Sequence, residues 1–405
     1  MLCVLMKDRL LLEFLLLLFS SPSFPSIFEC QNYLFYSSPY IHFGFMLLPY
    51  LIVVLCVISV VPGVHGNDKF ASWFAEQREE VLDDLLPLEV QGEIPNFIDG
   101  KLIRVGPSVL HTENKNYTNF LDAFGRVTSW TLSGTSNTAS FQSAIVKSLL
   151  WNHSVNDKSI TRHITQQKTD PSTRPGIFSL DEMDNTDVNV YKFKNSDKFL
   201  TFTDFYLANE VHLDTLRTIG SAQYKDSDNI PENGFFSSSH PEEYIHPTTE
   251  VVYLINWLGV KTARGSTIYI YAMDGNLSRT QVGAVDIDFL PYSIHSVALV
   301  GDYISVVVAP VSLDFLKAGA NLCLTCSYND NLSTLPTNIY VFSLAEVGLD
   351  KSHPPVVTVE VPPPNSFFTF HHLNGFLKEA DDNDDVSRAI GYKFLNLSDH
   401  NNNSS

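Results

Sequence analysis

Val251-Val252-Tyr253-Leu254-Ile255-Asn256-Trp257 and, ten positions on, Thr267-Ile268-Tyr269-Ile270-Tyr271 read as two β-strands. Both are rich in β-branched and aromatic residues, which suit a pleated surface. Asp274-Gly275-Asn276 then supplies turn chemistry directly after the second run. Outward from this pair the same texture repeats at 188–193, 199–205, 303–309, 338–342 and 356–361, with turn residues at 195–197 and at Gly301-Asp302. Helical periodicity shows only near 71–86, where Trp73, Phe74, Val81, Leu85 and Leu86 would share a face. Strands this regular, with almost no helix, predict an all-β sandwich, barrel or propeller. Periodicity does not separate the three.

The chain has 405 residues, enough for one large domain or two ordinary ones. Its 45 acidic and 26 basic side chains leave a net charge of −19, which argues against nucleic acid as a partner and against tight electrostatic binding to anionic lipid. With 44% hydrophobic and 12% aromatic residues, most of the chain should fold. Five cysteines are too few for a disulfide scaffold. Cys323 and Cys326 could be a disulfide, a metal half-site or an ordinary thiol pair; a zinc site would need a second pair, and a redox motif would need a βαβ context.

Residues 1–66 are a different material. Their only charges are Lys7, Asp8, Arg9, Glu13 and Glu29, and they hold two apolar stretches, 10–19 and 43–61. The first is too short to span a bilayer. The second ends in Pro62-Gly63-Val64-His65-Gly66, which suits a signal peptide cleaved before Asn67; an uncleaved anchor is the alternative. Sequons at Asn116, Asn152, Asn276, Asn331 and Asn396 agree with entry into the secretory pathway and with a glycoprotein. The domain expectation is therefore a hydrophobic N-terminal segment at 1–66, a β domain at 67–374 and a divergent tail at 375–405. The tail carries an acidic run at 378–385, read as a solvated loop.

Three of the 13 histidines sit beside β-type runs: His240 in Ser238-Ser239-His240-Pro241, His295 in Tyr292-Ser293-Ile294-His295-Ser296, and His371 in Phe367-Phe368-Thr369-Phe370-His371-His372. Spacings of 55 and 76 residues are too long for a helical pair and fit one ligand from each of several repeated β units. Imidazole suits iron, zinc or copper, and its neutrality leaves the metal's charge intact. Taken singly, each is more often a turn or core residue.

These settings resemble the carotenoid oxygenase family, which includes β-carotene oxygenases and a retinoid isomerohydrolase. The resemblance opens at Gly92-Glu93-Ile94-Pro95 and runs through Gly100-Lys101-Leu102-Ile103-Arg104-Val105-Gly106-Pro107. It continues at Leu121-Asp122-Ala123-Phe124-Gly125 and at Val188-Asn189-Val190-Tyr191, and it covers about Leu86 to Asn374. It implies a seven-bladed β-propeller with four histidines holding Fe(II), which cleaves a conjugated double bond of a carotenoid or apocarotenoid with O2. His240, His295 and His371 resemble the first three ligands. Asp204 aligns with a carboxylate that orients a ligand ring; being one methylene short, it is expected to reach its histidine through water. His246 is a decoy, and His372 is excluded because neighbouring strand residues face opposite ways.

Three departures qualify the resemblance. The 34 residues after His371 hold nothing like the late His-Gly segment of the fourth ligand. Relatives continue past the third histidine with Ala-Tyr-Glu, whereas this chain reads Asn374-Gly375-Phe376. Thr169-Asp170-Pro171-Ser172 lacks the cysteine linked in animal relatives to membrane attachment. The expectation is an incomplete propeller with its last blades missing, weak iron binding and little or no activity, the family function belonging to a longer product of the gene. A retinoid ester isomerohydrolase and a non-catalytic isoprenoid binder are the alternatives. The N-terminus points to a secretory or membrane-associated location, and relatives to the cytosolic face of a membrane.

Overall fold

A computed structural model of the chain describes residues 79–377 and 390–391, leaving out 114–116, 118, 157–182, 195, 233, 293, 322, 325 and 373–374. All of them belong to the unit Glu76–Ser405. The segment 1–66, the sequons at Asn116 and Asn396, Thr169 to Ser172, the acidic run at 378–385 and His400 lie outside the described residues.

Four sheets follow one another along the chain, antiparallel except for one short parallel pairing in the third. The first contains β1 (Val81–Leu88), β2 (Asp99–Val109), β3 (Phe124–Ser133) and β4 (Thr138–Ile145), in the order β1-β4-β3-β2. A short helix α1 (Leu149–Asn156) leads toward the second: β5 (Asn189–Tyr191), β6 (Lys198–Phe202), β7 (Ala208–His212) and β8 (Thr218–Ser221). The third holds β9 (Lys225–Asp226), β10 (Phe236–Ser237), β11 (Glu242–Ile245), β12 (Val252–Lys261), β13 (Ser266–Met273) and β14 (Ser278–Ile287). The fourth is β15 (Ala298–Val300) and β16 (Tyr303–Val308), then a detour through β17 (Val311–Leu313), α2 (Phe315–Asn321) and β18 (Tyr328–Asp330), then β19 (Thr337–Ser343) and β20 (Val357–Val361). A last small pair joins β21 (Phe376–Leu377) and β22 (Ile390–Gly391). All seven expected β runs fall on these strands.

Period-two alternation explains why the sheets stack in series. Along β12, Leu254, Leu258 and Val260 pack with Leu200, Phe202 and Ala208 of the second sheet. The intervening Ile255 and Trp257 pack with Ile304, Val306 and Phe342 of the fourth. Successive side chains of a strand point to opposite faces, so a strand buried on both sides reads as the continuous apolar run seen here. Val127 and Ala144 of the first sheet likewise meet Phe199 and Val211 of the second.

The helix expected over 71–86 is a correction. Within the described residues Val81–Leu88 is β1, paired antiparallel with β4. Tertiary pairing overrides the local apolar period here, and Leu85 and Leu86 stay exposed. Ile145 N–H donates to Glu80 Oε1 at 2.9 Å, and Arg126 Nη1 donates to the Glu79 carbonyl at 2.9 Å, which fixes the chain just ahead of β1. Pro87 is tolerated because β1 is an edge strand. Cys323 and Cys326, left open by the sequence, are joined by a disulfide after α2.

One ion pair, its guanidinium buried and its carboxylate partly exposed, closes the third sheet. Arg279, on β14, donates from Nε and Nη2 to the two Asp226 oxygens on β9, each at 2.6 Å, and lies 4.0 Å over the Tyr224 ring. Burial works to lower the Arg279 pKa, but the bonds to Asp226 together with the charges of Tyr271, Tyr224 and Asp226 outweigh it and the pKa is raised. Asp226→Ala would leave a buried guanidinium unpaired and is expected to cost about 3–5 kcal/mol. Urea unfolding of the two proteins measures it.

Candidate metal centre

The three histidines occupy comparable places at the entry to successive strand groups. His240 sits at the bend between β10 and β11, both of which pair with β12. His295 precedes β15, and His371 follows β20. Hydrogen bonds stitch the three segments together. His240 and Ser296 pair as a parallel bridge. Ser238 Oγ donates to the His295 carbonyl at 2.5 Å; Ser296 Oγ donates to the Phe370 carbonyl at 3.1 Å and accepts from His372 N–H at 3.0 Å. From β12, Asn256 Nδ2 donates to the Ser238 carbonyl at 2.8 Å and Trp257 Nε1 to the Ile294 carbonyl at 3.0 Å. Two adjacent residues of one buried strand thus hold the flanks of two histidines.

The imidazoles converge. One ring nitrogen from each of His240, His295 and His371 lies within 4.8 Å of the others. His240 Nε2 and His295 Nε2 are 3.1 Å apart. His371 Nε2 is buried and has no hydrogen-bond partner. Phe370 stacks on the His295 ring at 3.9 Å and fixes its plane. His295 Nδ1 lies 2.7 Å from Asp204 Oδ2, while Asp204 Oδ1 accepts from Ser239 Oγ at 2.8 Å. The contact expected through water is therefore direct. Ser237 N–H donates to the Asp204 carbonyl at 3.1 Å, and Phe205 bridges Phe236. Those backbone links draw Asp204 in and offset its shorter side chain.

Burial and the neighbouring His295 and His371 rings lower the His240 pKa to about 4, against the opposing pull of Asp204. Burial, then His295, also lowers that of His371. Both rings are neutral near pH 7, the form in which a nitrogen lone pair can bind a metal. Two nitrogens about 2.1 Å from one ion stand about 3.0 Å apart at a right angle and about 3.4 Å apart at the tetrahedral angle. The 3.1 Å spacing falls between these, and the orphaned His371 Nε2 is a third donor. The residues present fit a metal ion.

His246 stays outside the group; its Nδ1 accepts from the backbone of Thr248 and Thr249, each at 3.2 Å. His372 is also outside, but residues 370–372 belong to no strand, so the alternation rule is not what separates it. Sequence reasoning missed Asn189, whose Nδ2 lies 3.3 Å from His240 Nδ1. Only its place in Val188-Asn189-Val190-Tyr191 marked it.

The family model described as retinal pigment epithelial membrane protein matches residues 74–405. The chain belongs to that family, the carotenoid oxygenases. The matched stretch extends past Asn374, where the sequence motifs end. A mutant of the Synechocystis apocarotenoid oxygenase superposes with a TM-score of 0.58 at 18% identity, over 76% of this chain and 60% of its own. The monoclinic form of an ACO/RPE65 chimera gives 0.58 at 19% identity, over 77% and 62%. Cobalt-substituted Synechocystis ACO gives 0.53 at 18%, over 75% and 60%. At such identities the likeness is one of fold, and it identifies the four sheets as blades of a β-propeller. The chain spans about 60% of the length of these structures. No curated protein matches it.

The lowered histidine pKa values set a pH dependence for the metal-free protein. Because the folded rings resist protonation, the unfolded chain takes up the extra protons first. Stability is unaffected above about pH 6.5, falls as the pH drops toward about 4 and then levels off. His240→Gln is expected to remove about 1–3 kcal/mol of that acid-side loss, measured as unfolding free energy against pH.

Proposed function

We propose that His240, His295 and His371 hold Fe(II) and that the chain serves oxidative cleavage, by O2, of a conjugated double bond in a carotenoid or apocarotenoid, giving aldehyde or ketone products. The convergence of three imidazoles from separate blades, with His240 and His371 held neutral, carries this reading. Iron so held supplies one-electron chemistry toward O2 while keeping its full positive charge. The chain's own residues do the rest. Asp204 holds the His295 proton on Nδ1, which leaves Nε2 bare toward the centre. Phe370 fixes the same ring by stacking. Phe368 and Phe370 remain partly exposed beside the histidines and offer an apolar, aromatic contact to an isoprenoid chain.

Family membership supports an oxygenase, and the apolar stretch at 43–61 supports a membrane-associated or secretory location. Among the described residues no helix is long and apolar enough to cross a membrane.

Anaerobic titration with Fe(II), read by bound metal after desalting, tests the ligand set. His295→Ala is expected to weaken binding by more than about 100-fold, and Asp204→Ala by about 10- to 100-fold. Equal affinity in all three proteins would contradict the assignment. Turnover under labelled O2 with apocarotenoids and retinyl esters tests the reaction. Label in an aldehyde or ketone, at the low turnover expected of this chain, is the expected result; an unlabelled isomerised retinol would assign the retinoid isomerohydrolase reading instead. Binding without turnover, unchanged in His240→Ala, would assign a non-catalytic binder.

A further inference from the structure

Asn189 opens β5 with its side-chain amide held at three points. Oδ1 accepts from Val190 N–H at 2.9 Å, Nδ2 donates to the Ser239 carbonyl at 2.9 Å, and Nδ2 also faces His240 Nδ1 at 3.3 Å. Turning the amide over would set oxygen against the Ser239 carbonyl and NH2 against the Val190 N–H, so the orientation is determined by its neighbours. An amide nitrogen only donates. His240 Nδ1 must therefore present its lone pair, and the neutral ring carries its proton on Nε2.

That proton has somewhere to go. His240 Nε2 lies 3.1 Å from His295 Nε2, and the contact of His295 Nδ1 with Asp204 Oδ2 at 2.7 Å keeps the other His295 proton away from Nε2. Donors and acceptors then match along one chain, from Asn189 to His240, to His295, to Asp204. His371 Nε2 stands apart from it, buried without a partner.

We propose that Asn189 is a positioning residue that holds metal-free His240 in the Nε2–H tautomer, so that His240, unlike His295, must exchange its ring proton to bind metal. The inference rests on the metal centre proposed above. On capture, the Nε2–H bond breaks and an Nδ1–H bond forms by exchange with water, with no net change in protonation. The new Nδ1–H then confronts the Asn189 NH2, donor against donor, and the hydrogen bond between them is lost. His295 needs no such change, because its Nδ1–H contact with Asp204 serves both states. Asp204 therefore prepares its histidine for metal, whereas Asn189 restrains its own.

Selective ¹⁵N-histidine labelling of the metal-free full chain, with long-range ¹H–¹⁵N correlation spectra, reads the tautomer directly. Nε2–H at His240 is expected; Nδ1–H would overturn the proposal. Co(II) titration by visible absorption supplies the second readout. Asn189→Leu removes the opposing donor at similar volume and is expected to tighten Co(II) by about 3- to 10-fold, the worth of one net hydrogen bond. Asn189→Asp supplies an acceptor for Nδ1–H and is expected to move the His240 proton to Nδ1 in the metal-free spectrum, which needs no metal and survives misfolding of the leucine variant. A merely structural Asn189 would give weaker Co(II) binding in folded Asn189→Leu, and that sign would overturn the proposal. Co(II) affinity indifferent to His295→Ala would instead overturn the metal centre, with the tautomer at His240 still deciding the Asn189 contact.

Discussion

Imidazoles crowded around one buried point repel one another when charged, and the surroundings of that point answer to this constraint. Burial disfavours the imidazolium at His240 and His371, and the neighbouring rings disfavour it further. Neutral rings still carry N–H groups that must be directed. Asp204 takes the one on His295 Nδ1, and Phe370 stacks on the same ring. His371 keeps a buried nitrogen without a partner. Leaving a buried polar atom unpaired costs on the order of 1–3 kcal/mol. Such a cost is understandable where an absent ligand completes the site.

The propeller arrangement is what makes this convergence available to residues 55 and 76 positions apart. The third sheet is packed on both faces by its neighbours, through Leu254 and Leu258 on one side of β12 and Ile255 and Trp257 on the other. The same strand then turns from packing to positioning. Asn256 and Trp257 bind the backbone of Ser238 and Ile294, next to His240 and His295. A strand buried from Leu254 to Val260 thus sets the spacing of two loop positions, and serine hydroxyls extend the stitching to the segment of His371.

Much of this was legible in the residues. Runs such as 251–257 and 303–309 are continuous, β-branched and bounded by turn residues, so pairing and burial both favour strands there. The three histidines were legible through their motifs rather than their spacing, since no period links them. The stretch before Pro87 was misread because an apolar spacing of three to four describes a helix only if the backbone is free to pair with itself. Here the outer edge of β4 takes the pairing. The direct bond of Asp204 could not be read from side-chain length, because backbone links at Ser237 and Phe205 set the distance. Asn189 carried no chemical signal at all; its role depends on which hydrogen faces which nitrogen.

X-ray absorption at the iron edge of the Fe(II)-loaded, anaerobic protein tests the central claim most directly. The account predicts a first shell of nitrogen and oxygen with outer-shell scattering from three imidazole rings, falling to two in His371→Ala. A shell without imidazole scattering, or one unchanged by that substitution, would contradict it.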